Sequence, residues 1–206
     1  MIKNFRIIIP VYNESKNIIS LLNEIKNTLK NKNIIFEVII VDDCSIDESV
    51  KIIKEYMKTS IGQLNLKLIS NSANQGQSFS IKEGIKISTY DTVVTIDGDG
   101  QNNPNDINKL AQFYFLNENL SLVGGLRKNR QDSFIKKFSS KIANYIRKNI
   151  LDDDCNDTGC SLKIFDKRIF VKFPYFSGLH RFIPALFKGY GCKTFFIDVD
   201  HRKRLK

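Results

Sequence analysis

Apolar residues follow two alternating rhythms along the first half of this chain. Phe5 to Val11 is a short β-branched run, which predicts a buried first strand. From Ser15, a candidate cap, to Lys30, the residues Ile18, Leu21, Leu22, Ile25 and Leu29 recur on one helical face. Ile34 to Val41 reads as a second strand that ends in Asp42-Asp43. A second helix is expected from about Asp47 to Lys58, with Val50, Ile53 and Met57 inward. Leu64 to Ile69 reads as a strand, Ser78 to Ser88 as a helix and Thr92 to Ile96 as a fourth strand. The strand-helix order predicts an α/β fold with a mainly parallel, doubly wound sheet.

The second half is less regular. Pro104 suits the first turn of a helix reaching about Leu116. Leu120 to Val123 reads as a strand that stops before Gly124-Gly125, and Ser161 to Phe165 and Thr194 to Val199 as two more. Phe134 to Leu151 reads as a basic amphipathic helix, with Phe134, Phe138, Ile142, Tyr145 and Ile146 on one face. A short helix is expected over Arg181 to Lys188. With no repeat, low-complexity tract or linker, the chain reads as one domain.

Composition narrows the picture. The 206 residues suffice for one α/β domain, and 42% hydrophobic with 26% charged is an ordinary globular balance. The net charge of +10 points to an anionic partner: nucleic acid, anionic membrane or a phosphorylated substrate. It gathers in Arg127, Lys128, Arg130, Lys136, Lys137, Lys141, Arg147 and Lys148, and in the tail from His201 to Lys206. The aromatics among the first group sit at helical spacing, which argues for core and against nucleic-acid stacking. Four cysteines without a C-x-x-C pair read as reduced thiols. No signal peptide or membrane-length apolar run is visible, so the expected domain is cytoplasmic and soluble or peripheral.

The most telling chemistry is Asp97-Gly98-Asp99, where the apolar run from Thr92 to Ile96 stops. If the strand continues, alternation turns both carboxylates to one side, where a small hard cation fits. Gly98 and Gly100 then leave room for a ligand near the backbone. Carboxylates at the carboxyl end of such a strand lie where α/β sheets bind ligands, and a divalent ion there would hold a nucleotide diphosphate. An EF-hand reading fails, because the sixth and twelfth positions hold Asn102 and Asn108. Counted from Asp152 it fails again, at Asp157 and Lys163.

Neither a G-x-G-x-x-G turn nor a Walker A sequence follows the first strand, which ends in Pro10-Val11-Tyr12-Asn13-Glu14. Asp42 and Asp43 repel one another unless something binds them, whereas Asp47 suits a helix cap. Arg202 and Arg204 suit a phosphate clamp or a solvated tail. His180 and His201 lack metal-ligand spacing and read as structural.

Together these segments resemble the family 2 glycosyltransferases of the GT-A fold, with the dolichol-phosphate mannose synthase-like, polyprenyl-phosphate glycosyltransferases as the nearest subgroup. The resemblance rests on Ile9 to Glu14, Val41 to Asp47, Asn74 to Gln77 and Asp97 to Gln101. It continues through Asp157 to Cys160, His180 to Leu186 and His201-Arg202, in the family's order. It implies a Rossmann-like, mainly parallel sheet in a single catalytic domain over residues 1–206. Many relatives continue into amphipathic or membrane helices, and the usual H-R-P-R pattern here reads His201-Arg202-Lys203-Arg204.

The implied reaction moves a sugar, mannose first, from a GDP- or UDP-linked donor to a polyprenyl or dolichyl monophosphate, with inversion. Pro10, Tyr12, Glu14, Asp42, Gln77, Asp97, Arg202 and Arg204 are implied to hold the nucleotide sugar. Asp97, Asp99 and Gln101 are implied to hold Mg²⁺ or Mn²⁺. Arg127 and Arg181 are implied to face the acceptor phosphate. Asp99 and Asp157 are implied to serve the chemistry, Asp157 in a positioning role first and as a base second. The implied location is the cytoplasmic face of an anionic membrane, with the helix over 134–151 as the contact. Two alternatives stay open: a nucleotide-sugar-binding module without turnover, and a transferase acting on another acceptor such as a growing polysaccharide.

Overall fold

The first apolar run forms the middle of the sheet. β1 (Lys3–Val11) pairs in parallel with β2 (Ile34–Asp42) on one side and β4 (Thr92–Thr95) on the other. β3 (Leu66–Ser70) extends the sheet beyond β2, also in parallel. Past β4 come β6 (Lys163–Asp166), β5 (Leu120–Arg127) and β7 (Lys193–Val199), giving seven strands in the order β3-β2-β1-β4-β6-β5-β7. The computed structural model describes residues 3–30, 34–60, 64–128, 155 and 157–204. The basic helix expected over 134–151 lies outside them, as do Arg130 and the cations within that helix.

Alternation along β1 builds a core on each side. Ile7 and Ile9 face α1 (Ile18–Leu29), α2 (Ser49–Thr59) and α4 (Asn105–Leu116), while Ile8 faces α3 (Gln77–Lys86) and α6 (Leu179–Gly189). A short α5 (Lys167–Phe170) follows β6. These β1 side chains are fully buried, each contributing about 1.5–3 kcal/mol.

The sheet is mainly parallel, but β6 runs antiparallel to both β4 and β5. Gly124 and Gly125 lie inside β5, where the sequence suggested a stop. They are there for close approach: a Cβ on Gly124 would stand 2.8 Å from the Phe196 ring, and one on Gly125 2.8 Å from Val199. β5 therefore runs on to Arg127. α1 starts at Ile18, after a turn in which the Glu14 carbonyl accepts from Asn17 and Ile18, so Ser15 is not its cap. The N-cap of α2 is Glu48 rather than Asp47, but the Asp47 carboxylate, one residue earlier, accepts from the Ser49 amide at 2.9 Å. No helix among the described residues is long and apolar enough to cross a membrane.

Candidate functional site

From β1 the chain moves outward to β2 on one side, while β4 lies on the other. The carboxyl ends of β1 and β4 thus flank the point where strand order reverses, the usual ligand crevice of such sheets. A cavity of about 210 Å³ opens there, lined by Pro10, Val11, Tyr12, Glu14, Asp43, Gln77, Ser80, Asp97, Gly98 and Asp99. Six of the residues implied to hold the nucleotide sugar or metal, namely Pro10, Tyr12, Glu14, Gln77, Asp97 and Asp99, meet on its walls.

Two loops that carry these residues lock together. Asn13, in the left-handed region at φ 57°, accepts from the amide of Ile46 at 2.9 Å, and its own amide donates to Ser45 Oγ at 2.9 Å. The Glu14 amide donates to Ser49 Oγ at 2.9 Å and the Ser15 amide to Asp47 at 3.1 Å. Burial pushes the Asp47 carboxyl up, but hydrogen bonds from Ser49 and Ser15 outweigh it and hold the group down at about 2.

The adjacent acids Asp42 and Asp43 part company. Asp42 is buried, accepts from the Ser45 amide at 3.3 Å, and is not among the residues lining the cavity. Asp43 lines it and accepts from Asn71 Nδ2 at 2.7 Å and from the amides of Gln75 and Gly76 at 2.9 and 2.7 Å. These donors relieve the repulsion inferred from sequence. Gly76, at φ 84°, turns the chain around Asp43 so that α3 opens at Gln77. Gln77 Nε2 then donates to Asp97 Oδ1 at 2.6 Å.

β4 ends at Thr95, so a turn, not strand alternation, carries Asp97 and Asp99 to the same cavity. Gly98 lines the cavity and is also packed closely: a Cβ there would press on the Pro10 carbonyl and Val11, each at 3.1 Å. The Asp97 amide donates to Ser161 Oγ at 3.2 Å, and Ser161 Oγ donates to Asn102 at 3.0 Å. Burial, then the neighbouring Asp99, pushes the Asp97 carboxyl up to about 6. Ser161, Lys163 and Arg127 oppose that rise. Lys163 is itself buried and donates to the Cys160 carbonyl.

The tail closes one edge of the site. The Arg202 amide donates to the Gln101 carbonyl at 2.8 Å, and Gln101 Nε2 returns a bond to the Arg202 carbonyl at 3.2 Å. The Gln101 amide donates to Asp99 Oδ1 at 3.0 Å. The Arg202 guanidinium turns to Glu24 at 2.7 Å and Asn103 at 2.9 Å, so it braces the tail. Arg204 pairs with Glu14 on the cavity wall. Burial raises the Glu14 carboxyl, and Asn17 and Arg204 oppose that.

Arg127 and Asp157 are brought together as a bidentate pair, Nε and Nη2 each 2.7 Å from a carboxylate oxygen, with the Arg127 amide at 3.1 Å. A Cβ on Gly159 would stand 2.8 Å from Arg127 Nη2, so glycine leaves the guanidinium its passage. Arg181 lies apart, exposed in the first turn of α6 and without an acidic partner among the described residues. Sequence reasoning missed Ser161, Lys163 and the contact of His180 Nδ1 with Ser78 Oγ at 2.6 Å. No local spacing announces them, because each acts across distant segments. Among the described residues no three His, Cys, Asp or Glu side chains cluster as a metal site.

Comparison with known proteins adds a second line of observation. The sequence profile of Glycosyl transferase family 2 matches residues 6–173. An undecaprenyl-phosphate 4-deoxy-4-formamido-L-arabinose transferase of Pectobacterium carotovorum is 31% identical over 203 residues, covering 98% of this chain and 61% of that protein. A dodecaprenyl-phosphate galacturonate synthase of Rhizobium johnstonii is 32% identical over 184 residues, covering 89% and 54%. The chain thus spans about three-fifths of the length of the first of these relatives. A mannosyltransferase from Pyrobaculum calidifontis, solved with GDP-Man and Mn²⁺, superposes with a TM-score of 0.70 at 16% identity, covering 98% and 57%. That likeness shows the GT-A fold.

Proposed function

Because this chain belongs to glycosyl transferase family 2, we propose that it moves a sugar from a nucleotide-diphosphate donor to a polyprenyl monophosphate. The observation that carries this reading is the meeting of Asp97 and Asp99 with Tyr12, Glu14, Asp43 and Gln77 around one cavity. Relatives named for polyprenyl-phosphate sugar transfer support the acceptor class. Mannose from GDP-mannose is the first donor to test, with nucleotide-linked formamido-arabinose and galacturonate beside it, and with UDP as the rival carrier.

The residues fit Mg²⁺ or Mn²⁺. Asp97 and Asp99 face one cavity, and Asp99 disfavours the charge of Asp97, which a hard cation would relieve. Gln101 would add an amide oxygen. When bound, the ion would neutralise charge growing on the departing diphosphate. Gln77 and Ser161 hold Asp97 in place from two sides. Pro10 and Tyr12 would line the nucleoside, and Asp43 would take the role expected of Asp42. Arg204 would exchange Glu14 for the diphosphate, while Arg202 would keep the tail docked.

A phosphate monoester has a second pKa of about 6, so the acceptor is largely dianionic at neutral pH and attacks with little help. Both carboxylate oxygens of Asp157 accept from Arg127. Asp157 is therefore a positioning residue that orients Arg127 for the acceptor phosphate, with Arg181 as a second cation. The domain would work at the cytoplasmic face of an anionic membrane.

The test mixes the chain with Mn²⁺, candidate nucleotide sugars and a short polyprenyl phosphate, and reads a lipid-linked sugar. Asp99→Asn should keep the fold and lose metal-dependent donor binding and transfer. Transfer by Asp99→Asn at the parent rate would sink the site assignment, and donor binding without turnover in the parent would favour a binding module.

A further inference from the structure

The segment after α5 leaves unusually large apolar groups in water: Val171 is 57% exposed, Tyr175 41% and Phe176 37%, and the nearby Tyr190 52%. Behind Tyr175 lies a second cavity of about 270 Å³, floored by Ile85, Phe170 and Leu179 and lined as well by Lys82, Lys86 and Lys167. The lysines are packed on the aromatics. Lys82 Nζ stands 4.9 Å from the Tyr175 ring centroid, and Lys172 Nζ 5.2 Å from that of Tyr190.

The acids of this face are already matched. Glu83 pairs with Lys86 at 3.7 Å, and Asp91 and Asp166 both pair with Arg168, at 3.6 and 2.7 Å. Lys82, Lys167 and Lys172 have no acidic partner among the described residues, so the face carries surplus positive charge around an apolar centre. Tyrosines, short apolar side chains and lysines whose stems lie along them form the composition that suits a bilayer interface. A protein partner would need opposed acids and a shaped hydrophobic knob; a lipid surface needs only phosphates and acyl chains.

We infer that this face, formed by the outer side of α3, residues 171–176 and Tyr190, docks on anionic phospholipid. Val171, Tyr175 and Phe176 enter the interface, and Lys82 and Lys172 meet lipid phosphates, while Lys167 keeps its bond to the Ser88 carbonyl. The face adjoins the acid-lined cavity. Phe79 meets Tyr175 edge to face at 6.1 Å, and it lies one turn into the helix that opens at Gln77. The inference adds to the proposed reaction without depending on it, because its test needs neither donor nor acceptor.

The chain contains no tryptophan, so a single one reports its own surroundings. Phe176→Trp, with Tyr175→Trp as a second probe, is compared with Phe195→Trp, which stacks on Phe113 across the sheet. On vesicles of phosphatidylcholine mixed with phosphatidylglycerol, emission at 176 and 175 should shift to the blue and be quenched by brominated acyl chains. Emission at 195 should not change. Phosphatidylcholine alone should bind far less, and Lys82→Gln or Lys172→Gln should each weaken partitioning about fivefold. Absence of vesicle binding, binding that quenches 195 but neither 175 nor 176, or self-association through this face in place of vesicle binding would overturn the inference. Failure here with donor binding intact leaves the proposed function standing.

Discussion

Asp157→Asn separates a buried orienting acid from an exposed catalytic base. The Arg127–Asp157 pair is nearly dry, its side chains 11% and 8% exposed, and three donors converge on the carboxylate. Removing one partner of a buried ion pair costs about 3–5 kcal/mol, since the other charge stays behind uncompensated. Asparagine keeps the shape and one acceptor oxygen, which points to the lower end, about 3 kcal/mol. For a chain of this size each kcal/mol moves the midpoint by about 2–4 °C, so thermal unfolding should fall by about 6–12 °C. Replacing both partners, Arg127→Met with Asp157→Leu, should recover much of that loss. In the transfer assay the single variant should raise KM for the polyprenyl phosphate and leave donor KM alone. A melting midpoint within about 2 °C of the parent, with only kcat reduced, would refute the reasoning and make Asp157 the base.

Three further outcomes follow from the geometry. Asp47→Ala should cost about 1 kcal/mol by removing the bonds from the first amide of α2 and from Ser15, read by urea unfolding. Because Asp47 is held down at about 2, its contribution is present above about pH 4 and is lost as the pH falls towards 2, so the difference between variant and parent should vanish there. His180 is held neutral, lowered to about 4 by burial and then by Lys163 and Arg181, so stability should be full above about pH 6.5 and drop as the pH falls towards 4. His180→Gln should flatten that slope; an unchanged slope would refute the assignment. Gly84→Ala should destabilise by about 1–3 kcal/mol despite better helix propensity, since its Cβ would stand 2.6 Å from Ile8 in the packed core; a higher melting temperature would contradict that.

Strands and helices up to β4 were legible because their burial is periodic: Ile18, Leu21, Leu22, Ile25 and Leu29 are all buried, as their spacing predicts. The apolar runs of β1 and β2 likewise end where parallel pairing ends. What the pattern hid is what depends on distant partners. The antiparallel course of β6 follows from its neighbours, not from its own residues. Gly124-Gly125 looks like a turn until Phe196 and Val199 are seen against it. Of two identical neighbours, only Asp43 reaches the cavity, because Asp42 ends β2 facing the loop at Ser45. The acid pair was visible, but through a turn rather than the extended strand that motivated it.

The placement of β6 has a consequence for biogenesis. Thr95 pairs with Lys163, so the rim of β4 stays uncovered until residues 163–166 have left the ribosome. Until then the nascent chain displays a row of unpaired amides and carbonyls along a β-branched ribbon, the kind of rim on which chains stick to one another. Slow translation between these two points should therefore favour aggregation, and holding chaperones should be needed most in that interval.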